Sequence, residues 1–254
     1  MNAPSLRVTN ESMRTCLLVL AACGGSPAPQ PVEHHPEPIA AAPRTTPAPT
    51  VAWTDGKPTV TGLPAVAAGG EVVVVPISGG DAGRGYPNLR IEVHDRSDRT
   101  VQAIDVLTSN EFDKLAPGGA PTPALNKRIS DANAELAHLH AIHDLAPMHA
   151  LEIQPAADGG AQHLAIGDGL DVDWDTDHLH VLHHNTDHAV TVLDGKPWLV
   201  KDHKPCPTCP PCENPAFLDG VYHATGVNVL VVQIGYRGTD TCWEPADQMH
   251  IVTW

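Results

Sequence analysis

The sequence predicts an α+β fold that is mainly antiparallel β-sheet, arranged as a curved sheet or partial barrel with one amphipathic helix. Short β-branched runs separated by turn residues recur after residue 70 and are typical of strands. Only one long segment, about 123–145, has apolar residues at helical spacing. Strands and helices do not alternate along the chain, which argues against a doubly wound parallel sheet.

The first predicted strand is the valine-rich run 71–75, which ends at Pro76. The segments 89–93 and 101–106 flank the polar stretch 95–99 and predict a β-hairpin. Further strands are expected at 149–154, 162–166, 169–174, 178–184, 188–193, 221–223, 226–234 and 247–253. Turns rich in Gly, Asn and Asp separate many of these segments.

The predicted helix begins with Thr122 as N-cap and Pro123 as first helical residue. Its apolar positions step by four and three residues, which places them on one face. They are Leu125, Ile129, Ala132, Leu136 and Leu139. We expect this face to cover one side of the sheet, with the helix closing before Pro147.

Residues 1–22 have the features of a cleaved export signal. Arg7 and Arg14 precede the uncharged run 15–22, which small residues end. This run is far shorter than the roughly 20 residues that a membrane-spanning helix needs. The sequence leaves open whether Met1 or Met13 is the start.

The segment Leu20-Ala21-Ala22-Cys23 resembles the lipobox of bacterial lipoproteins. The resemblance implies cleavage before Cys23 and acylation of that residue, so that two or three acyl chains anchor the protein in a lipid bilayer. An ordinary export signal with a chance cysteine is the alternative. Gly24 replaces the Asp that retains lipoproteins at the inner membrane of enteric bacteria, which favours the outer membrane or cell surface within the cell envelope.

Residues 23–50 are rich in Pro and Ala after the lipobox cysteine and predict an extended, semi-rigid tether. The remaining residues, 51–254, are enough for a single globular domain with a sizeable core. The chain has 30 acidic and 15 basic residues and a net charge of −15. Because nucleic-acid binding depends on Lys and Arg, the charge makes nucleic acid an unlikely class of partner.

Four cysteines remain after Cys16 is lost with the signal and Cys23 is acylated. They are Cys206, Cys209, Cys212 and Cys242. An even number of cysteines in an oxidising compartment predicts two disulfides, with Cys242 joined to one of the other three. A metal site and a redox centre are alternatives, although the prolines among the first three disfavour the helix that a thioredoxin-like centre needs.

The chain contains 16 histidines, and several cluster between residues 178 and 188. One interpretation is compositional bias that places histidine on polar faces. The other is a zinc or copper site. Its candidate ligands are His178, His180 and His188.

The metal hypothesis depends on hairpin geometry. A three-residue loop at 175–177 places Val172 opposite His180 and Trp174 opposite His178. Both histidines then lie on one face, and His188 from the next strand supplies a third ligand.

Sequence motifs for other chemistry are missing. The chain has no G-x-S-x-G motif and no cofactor fingerprint. We therefore expect a membrane-anchored exported lipoprotein that is a non-catalytic binding or envelope-structural module for an unknown protein or small-molecule ligand. A histidine-based metal-binding lipoprotein is the first alternative, and a tethered hydrolase is the second.

Overall fold

Every strand pair is antiparallel in the computed structural model. The structure describes residues 46–79, 85–153, 162–175, 178–184, 186–190, 216–224, 226–236 and 247–254. All of them belong to one unit, residues 43–254. The predicted class, mainly antiparallel sheet with few helices, is confirmed.

In chain order the strands are β1 (Thr50–Thr54), β2 (Lys57–Thr61), β3 (Ala65–Val66), β4 (Val72–Ile77), β5 (Leu89–Asp95), β6 (Thr100–Leu107), β7 (Ala146–Pro147), β8 (His149–Ala150), β9 (Gln162–Gly167), β10 (Leu170–Asp175), β11 (His178–His183), β12 (Thr186–Val190), β13 (Ala216–His223), β14 (Val229–Tyr236) and β15 (Gln248–Thr253). The helices are α1 (Phe112–Leu115) and α2 (Pro123–His143), with 3-10 turns at Ser109–Glu111 and Pro117–Gly119.

Within the described residues the strands form three larger sheets and one hairpin. We call the sheet with strand order β6-β5-β4-β3-β7 the helix-side sheet. The middle sheet has the order β15-β14-β13-β8, and the outer sheet has the order β12-β11-β10-β9. Strands β1 and β2 pair only with each other. None of these sheets closes into a barrel.

Helix α2 begins where the sequence predicts and ends two residues earlier. The Thr122 hydroxyl accepts a hydrogen bond from the Leu125 N–H at 3.4 Å, which caps the first turn. Asp144 ends the helix in a left-handed conformation, with φ of 50°. Leu125, Ala132, Leu136 and Leu139 are buried. The predicted apolar face is therefore confirmed, whereas the short helix α1 was not predicted.

The helix-side sheet is buried on both faces because β4 has valines in alternate orientations. Val74 packs with Leu136 of α2 on one face. Val73 and Val75 pack with Val231 of the middle sheet on the other. A sheet with two apolar faces needs a layer on each side, so stacking replaces the single curved sheet that the sequence predicts.

The middle sheet also packs on both faces. Val232 and Ile234 lie in a buried cluster with Val172 and Trp174 of the outer sheet. The layers therefore run from α2 through the helix-side and middle sheets to the outer sheet. Among the residues that the structure describes, no helix is both long and apolar enough to span a membrane.

Candidate functional site

The hairpin that carries two of the predicted metal ligands has a register different from the predicted one. The Cα partners are Asp175 with His178, Trp174 with Leu179, Asp173 with His180 and Val172 with Val181. Two residues, rather than three, therefore connect β10 and β11. The predicted pairings of Val172 with His180 and Trp174 with His178 are wrong, because loop length sets hairpin register.

His178 and His180 nevertheless share the outward face of the outer sheet, since they are two residues apart on one strand. Their ring centroids are 6.4 Å apart. His180 Nδ1 lies 2.8 Å from Asp187 Oδ2 on the adjacent strand β12. This half of the predicted metal site therefore consists of paired imidazoles beside a carboxylate.

His188 does not join this pair. Its Cα partner on β11 is the buried Val181, whereas His180 is opposite Ala189. Directly opposite residues share a face, so His188 lies on the inward side of the outer sheet, away from His180. Among the residues that the structure describes, no group of three or more His, Cys, Asp or Glu side chains is arranged to hold a metal ion.

The outward face carries a second imidazole–carboxylate pair. His163 Nδ1 lies 2.5 Å from Asp173 Oδ1 across strands β9 and β10. The hydrogen bond with Asp173 and the charge of that carboxylate raise the pKa of His163. Both side chains are exposed to solvent. This face therefore gains positive charge as pH falls, with His163 protonated before an unpaired histidine.

Among the described residues, the most buried polar side chain lies elsewhere, between the helix-side and middle sheets. His94 of β5 is 4% exposed. Its Nε2 lies 3.0 Å from Glu92 Oε2, and its Nδ1 lies 3.2 Å from Asp98 Oδ1. We call Glu92, His94, Asp98 and His250 the ion cluster.

Asp98 connects the ion cluster to the middle sheet. It lies in the turn between β5 and β6 with φ of 59°, a conformation that Asp tolerates better than most residues. Its Oδ2 is 3.0 Å from His250 Nδ1 of β15, and its Oδ1 accepts the backbone N–H of Ile251 at 2.8 Å. The turn of one sheet is therefore fixed on the edge strand of the next.

The charges of the ion cluster follow from its contacts. Burial opposes protonation of His94, but Asp98 and Glu92 outweigh it and raise the pKa of His94 to about 9. Burial raises the pKa of Asp98, but the hydrogen bonds from His250 and the Ile251 N–H, together with the nearby His94 imidazolium, outweigh burial and lower that pKa. His94 is thus an imidazolium between carboxylates at neutral pH.

This protonation state excludes His94 as a general base at neutral pH. Thr100 Oγ1 is 3.5 Å from His94 Nε2 and superficially completes a hydroxyl–imidazole–carboxylate arrangement. The hydroxyl instead donates to Glu92 Oε2 at 3.2 Å, and an imidazolium has no lone pair to accept its proton. The cluster joins the turn after β5 to strand β15 of the middle sheet.

A third polar group surrounds a β-bulge in the middle sheet. The register shifts between Leu218 and Gly220, so Asp219 has no direct partner on β14. The amide nitrogen of Gln233 donates to Asp219 Oδ2 at 2.8 Å and to Asp247 Oδ2 at 2.9 Å. Burial raises the pKa of Asp219. Two carboxyl groups are therefore held beside one amide at this end of the sheet.

Neither the ion cluster nor the bulge was predicted. A sequence signal for the ion cluster is the spacing Glu92-x-His94-x-x-x-Asp98, which brings both carboxylates to one imidazole when the chain reverses after β5.

The predicted lipidation site Cys23 lies outside the described residues. So do all four cysteines predicted to form disulfides, Cys206, Cys209, Cys212 and Cys242.

No protein-family model, curated protein or solved structure matches this chain.

Proposed function

We propose that the protein is an exported lipoprotein, held in the cell envelope by acyl chains on Cys23, whose β-rich domain is a non-catalytic binding or envelope-structural module. The observation that carries this proposal is the order of features at the start of the chain. Arg7 and Arg14 precede a short apolar run, the run ends in Leu20-Ala21-Ala22-Cys23, and a proline-rich segment follows.

Each feature has a physical role in such a protein. One acyl chain gives marginal membrane binding, whereas two or three give stable anchoring. The 25 residues 26–50 contain frequent prolines, which favour an extended backbone near 3.1 Å per residue. Such a spacer holds a domain up to about 80 Å from the bilayer. That distance suits recognition of a partner away from the anchoring membrane.

The architecture of the domain supports a binding or structural role. Its sheets pack through separate apolar cores, and the ion cluster fixes the hairpin after β5 on strand β15. The outward face of the outer sheet, with the pairs His163–Asp173 and His180–Asp187, is available to a protein or small-molecule ligand.

The anchor is tested by metabolic labelling with a fatty-acid precursor and by cell fractionation. We expect the native chain to incorporate label and to sediment with membranes. Cys23→Ser removes the thiol that is acylated and should abolish both. Cys16→Ser is the matched control, because it changes a cysteine in the same segment outside the lipobox. Labelled, membrane-bound Cys23→Ser protein would show that the proposal is wrong.

A second candidate function is binding of zinc or copper. The observation that favours it is the His178–His180 pair on one face of the outer sheet, with Asp187 bonded to His180. Two imidazoles supply half of a tetrahedral site. A third ligand has to come from a residue other than His188, which lies on the opposite face.

A further inference from the structure

Two histidine rings, one from each sheet, lie beside Trp254 where the middle and outer sheets meet. The Trp254 ring lies 5.3 Å from the ring of His183 on the outer sheet and 6.3 Å from that of His223 on the middle sheet, measured between centroids. Trp254 also packs against the apolar core between these two sheets. One indole therefore contacts imidazoles from both layers.

The backbone brings a further imidazole to this position. His184 has a left-handed conformation, with φ of 47°, and its N–H donates to the Gly169 carbonyl at 2.8 Å. Its ring lies over Gly169, where a Cβ atom would overlap the imidazole. The ring centroids of His183 and His184 are consequently 4.3 Å apart. We call His183, His184, His188, His223 and Trp254 the histidine–tryptophan junction.

The neutral form of the His183 imidazole is favoured in this junction. Partial burial, together with the positive charge that His184 and His188 acquire on protonation, lowers the pKa of His183. The elements around it contribute other titratable groups. They are His223 on β13, its cross-strand partner His149 on β8, and Asp168 in the turn between β9 and β10.

We propose that the histidine–tryptophan junction is an acid-sensitive contact, in which protonation of its imidazoles loosens Trp254 and the adjoining edge between the middle and outer sheets. Each step is uptake of a proton from solvent by an imidazole nitrogen. A single imidazolium over the indole gains a cation–π attraction. At these ring separations a second imidazolium is repelled by the first. Further protonation is therefore disfavoured while the junction is closed and favoured once the junction opens.

The junction would respond to the pH of the protein's surroundings. This consequence rests on the proposed function, because a protein displayed outside the cytoplasm meets a pH that the cell interior does not control. Acidification would release the edge of the outer sheet without disturbing the ion cluster, which lies between the other two sheets. The acid sensitivity itself does not depend on the anchor and can be measured on Cys23→Ser protein.

The test measures Trp254 fluorescence from pH 7.5 to pH 5. The Trp254 signal is the emission spectrum of the native protein minus that of Trp254→Phe. We expect a red shift and greater acrylamide quenching, with a midpoint below the ordinary histidine value of 6.5. His183→Gln/His188→Gln should remove the transition. His178→Gln, on the opposite face of the same strand, is the matched control and should retain it.

Two further measurements distinguish loosening of the junction from contact quenching and from global unfolding. Imidazolium quenches indole fluorescence by contact, so loss of intensity without a red shift or acrylamide access would contradict loosening. Far-ultraviolet circular dichroism should stay constant through the transition, and global unfolding at the same midpoint would overturn the proposal. If Trp254→Phe does not fold, amide hydrogen exchange of residues 248–254 as a function of pH measures the same opening, and unchanged exchange would also overturn it.

Discussion

The carboxylate of Asp98 accepts a hydrogen bond at 2.8 Å from the backbone N–H of Ile251, 153 positions later in the chain. His250 places its Nδ1 3.0 Å from the second oxygen of the same carboxylate. A turn of the helix-side sheet is thereby fixed to the edge strand of the middle sheet. Because one side chain satisfies groups on two sheets, it couples their stabilities.

The first prediction concerns Asp98. Asp98→Asn keeps the size of the side chain and its tolerance of positive φ, but removes the negative charge beside the His94 imidazolium. We expect the free energy of unfolding in urea to fall by about 2–4 kcal/mol, because a buried imidazolium loses a partner. Asp105→Asn, an exposed carboxylate on β6, is the control and should change it by less than about 0.5 kcal/mol. Equal effects of the two substitutions would contradict the role assigned to Asp98.

The second prediction is a pH dependence from His94. Its folded pKa of about 9 lies above its ordinary value of 6.5, so its contribution is fully present below pH 6.5 and is lost as pH rises through 9. We expect stability to decline over that window by roughly 2–4 kcal/mol. His94→Gln should lack this component, whereas His138→Gln, an exposed control on α2, should retain it. A slope in His94→Gln equal to that of the native chain would exclude His94 as its source.

Helix α2 and the local strand pairs were predictable because their signals are local. Thr122 and Pro123 mark the helix start, and the turn after β5 is rich in polar residues. The hairpin of β1 and β2 was missed, although Asp55–Gly56 is a hairpin turn signal and both residues adopt positive φ. The order of the sheets was not predictable, since β3 pairs with β7 about eighty positions away and nothing local encodes that contact.

The candidate site was less predictable than the fold. Placing His188 required the register of two successive hairpins. An error of one residue in register transfers a side chain to the other face of the sheet. The spacing of Glu92, His94 and Asp98 indicates the local part of the ion cluster, but no local spacing indicates that Asp98 meets a strand 153 positions later.

The third prediction concerns the core under α2. Leu136 is completely buried against the helix-side sheet, so Leu136→Ala leaves a cavity and should lower the free energy of unfolding by about 2–5 kcal/mol. Ile142 on the same helix is 60% exposed, and Ile142→Ala should lower it by less than about 1 kcal/mol. Thermal or urea unfolding measures both. Similar losses in the two variants would contradict the packing of α2.

The fourth prediction is that Cys206, Cys209, Cys212 and Cys242 form two disulfides, one of them including Cys242. Ala216 and Tyr236 are Cα partners, so the strand ends nearest Cys212 and Cys242 are adjacent. In exported protein, alkylation before reduction should label none of the four, and alkylation after reduction should label all of them. Cys242→Ser should lower stability by about 2–4 kcal/mol. Four reactive thiols in unreduced protein would contradict the pairing.

The fifth prediction separates the metal candidate from the binding module. If the outward histidine pair binds zinc or copper, calorimetric titration of metal-free protein should show one submicromolar site. His178→Ala/His180→Ala removes both imidazoles and should weaken binding by at least a hundredfold, because two of the available ligands are lost. His188→Ala is the matched control. The sequence predicts His188 as a third ligand, whose loss would weaken binding. The observed register puts His188 on the other face, so we expect unchanged affinity. Weak, multiple binding that the double substitution leaves unaltered would exclude the metal candidate and leave the binding module as the proposal.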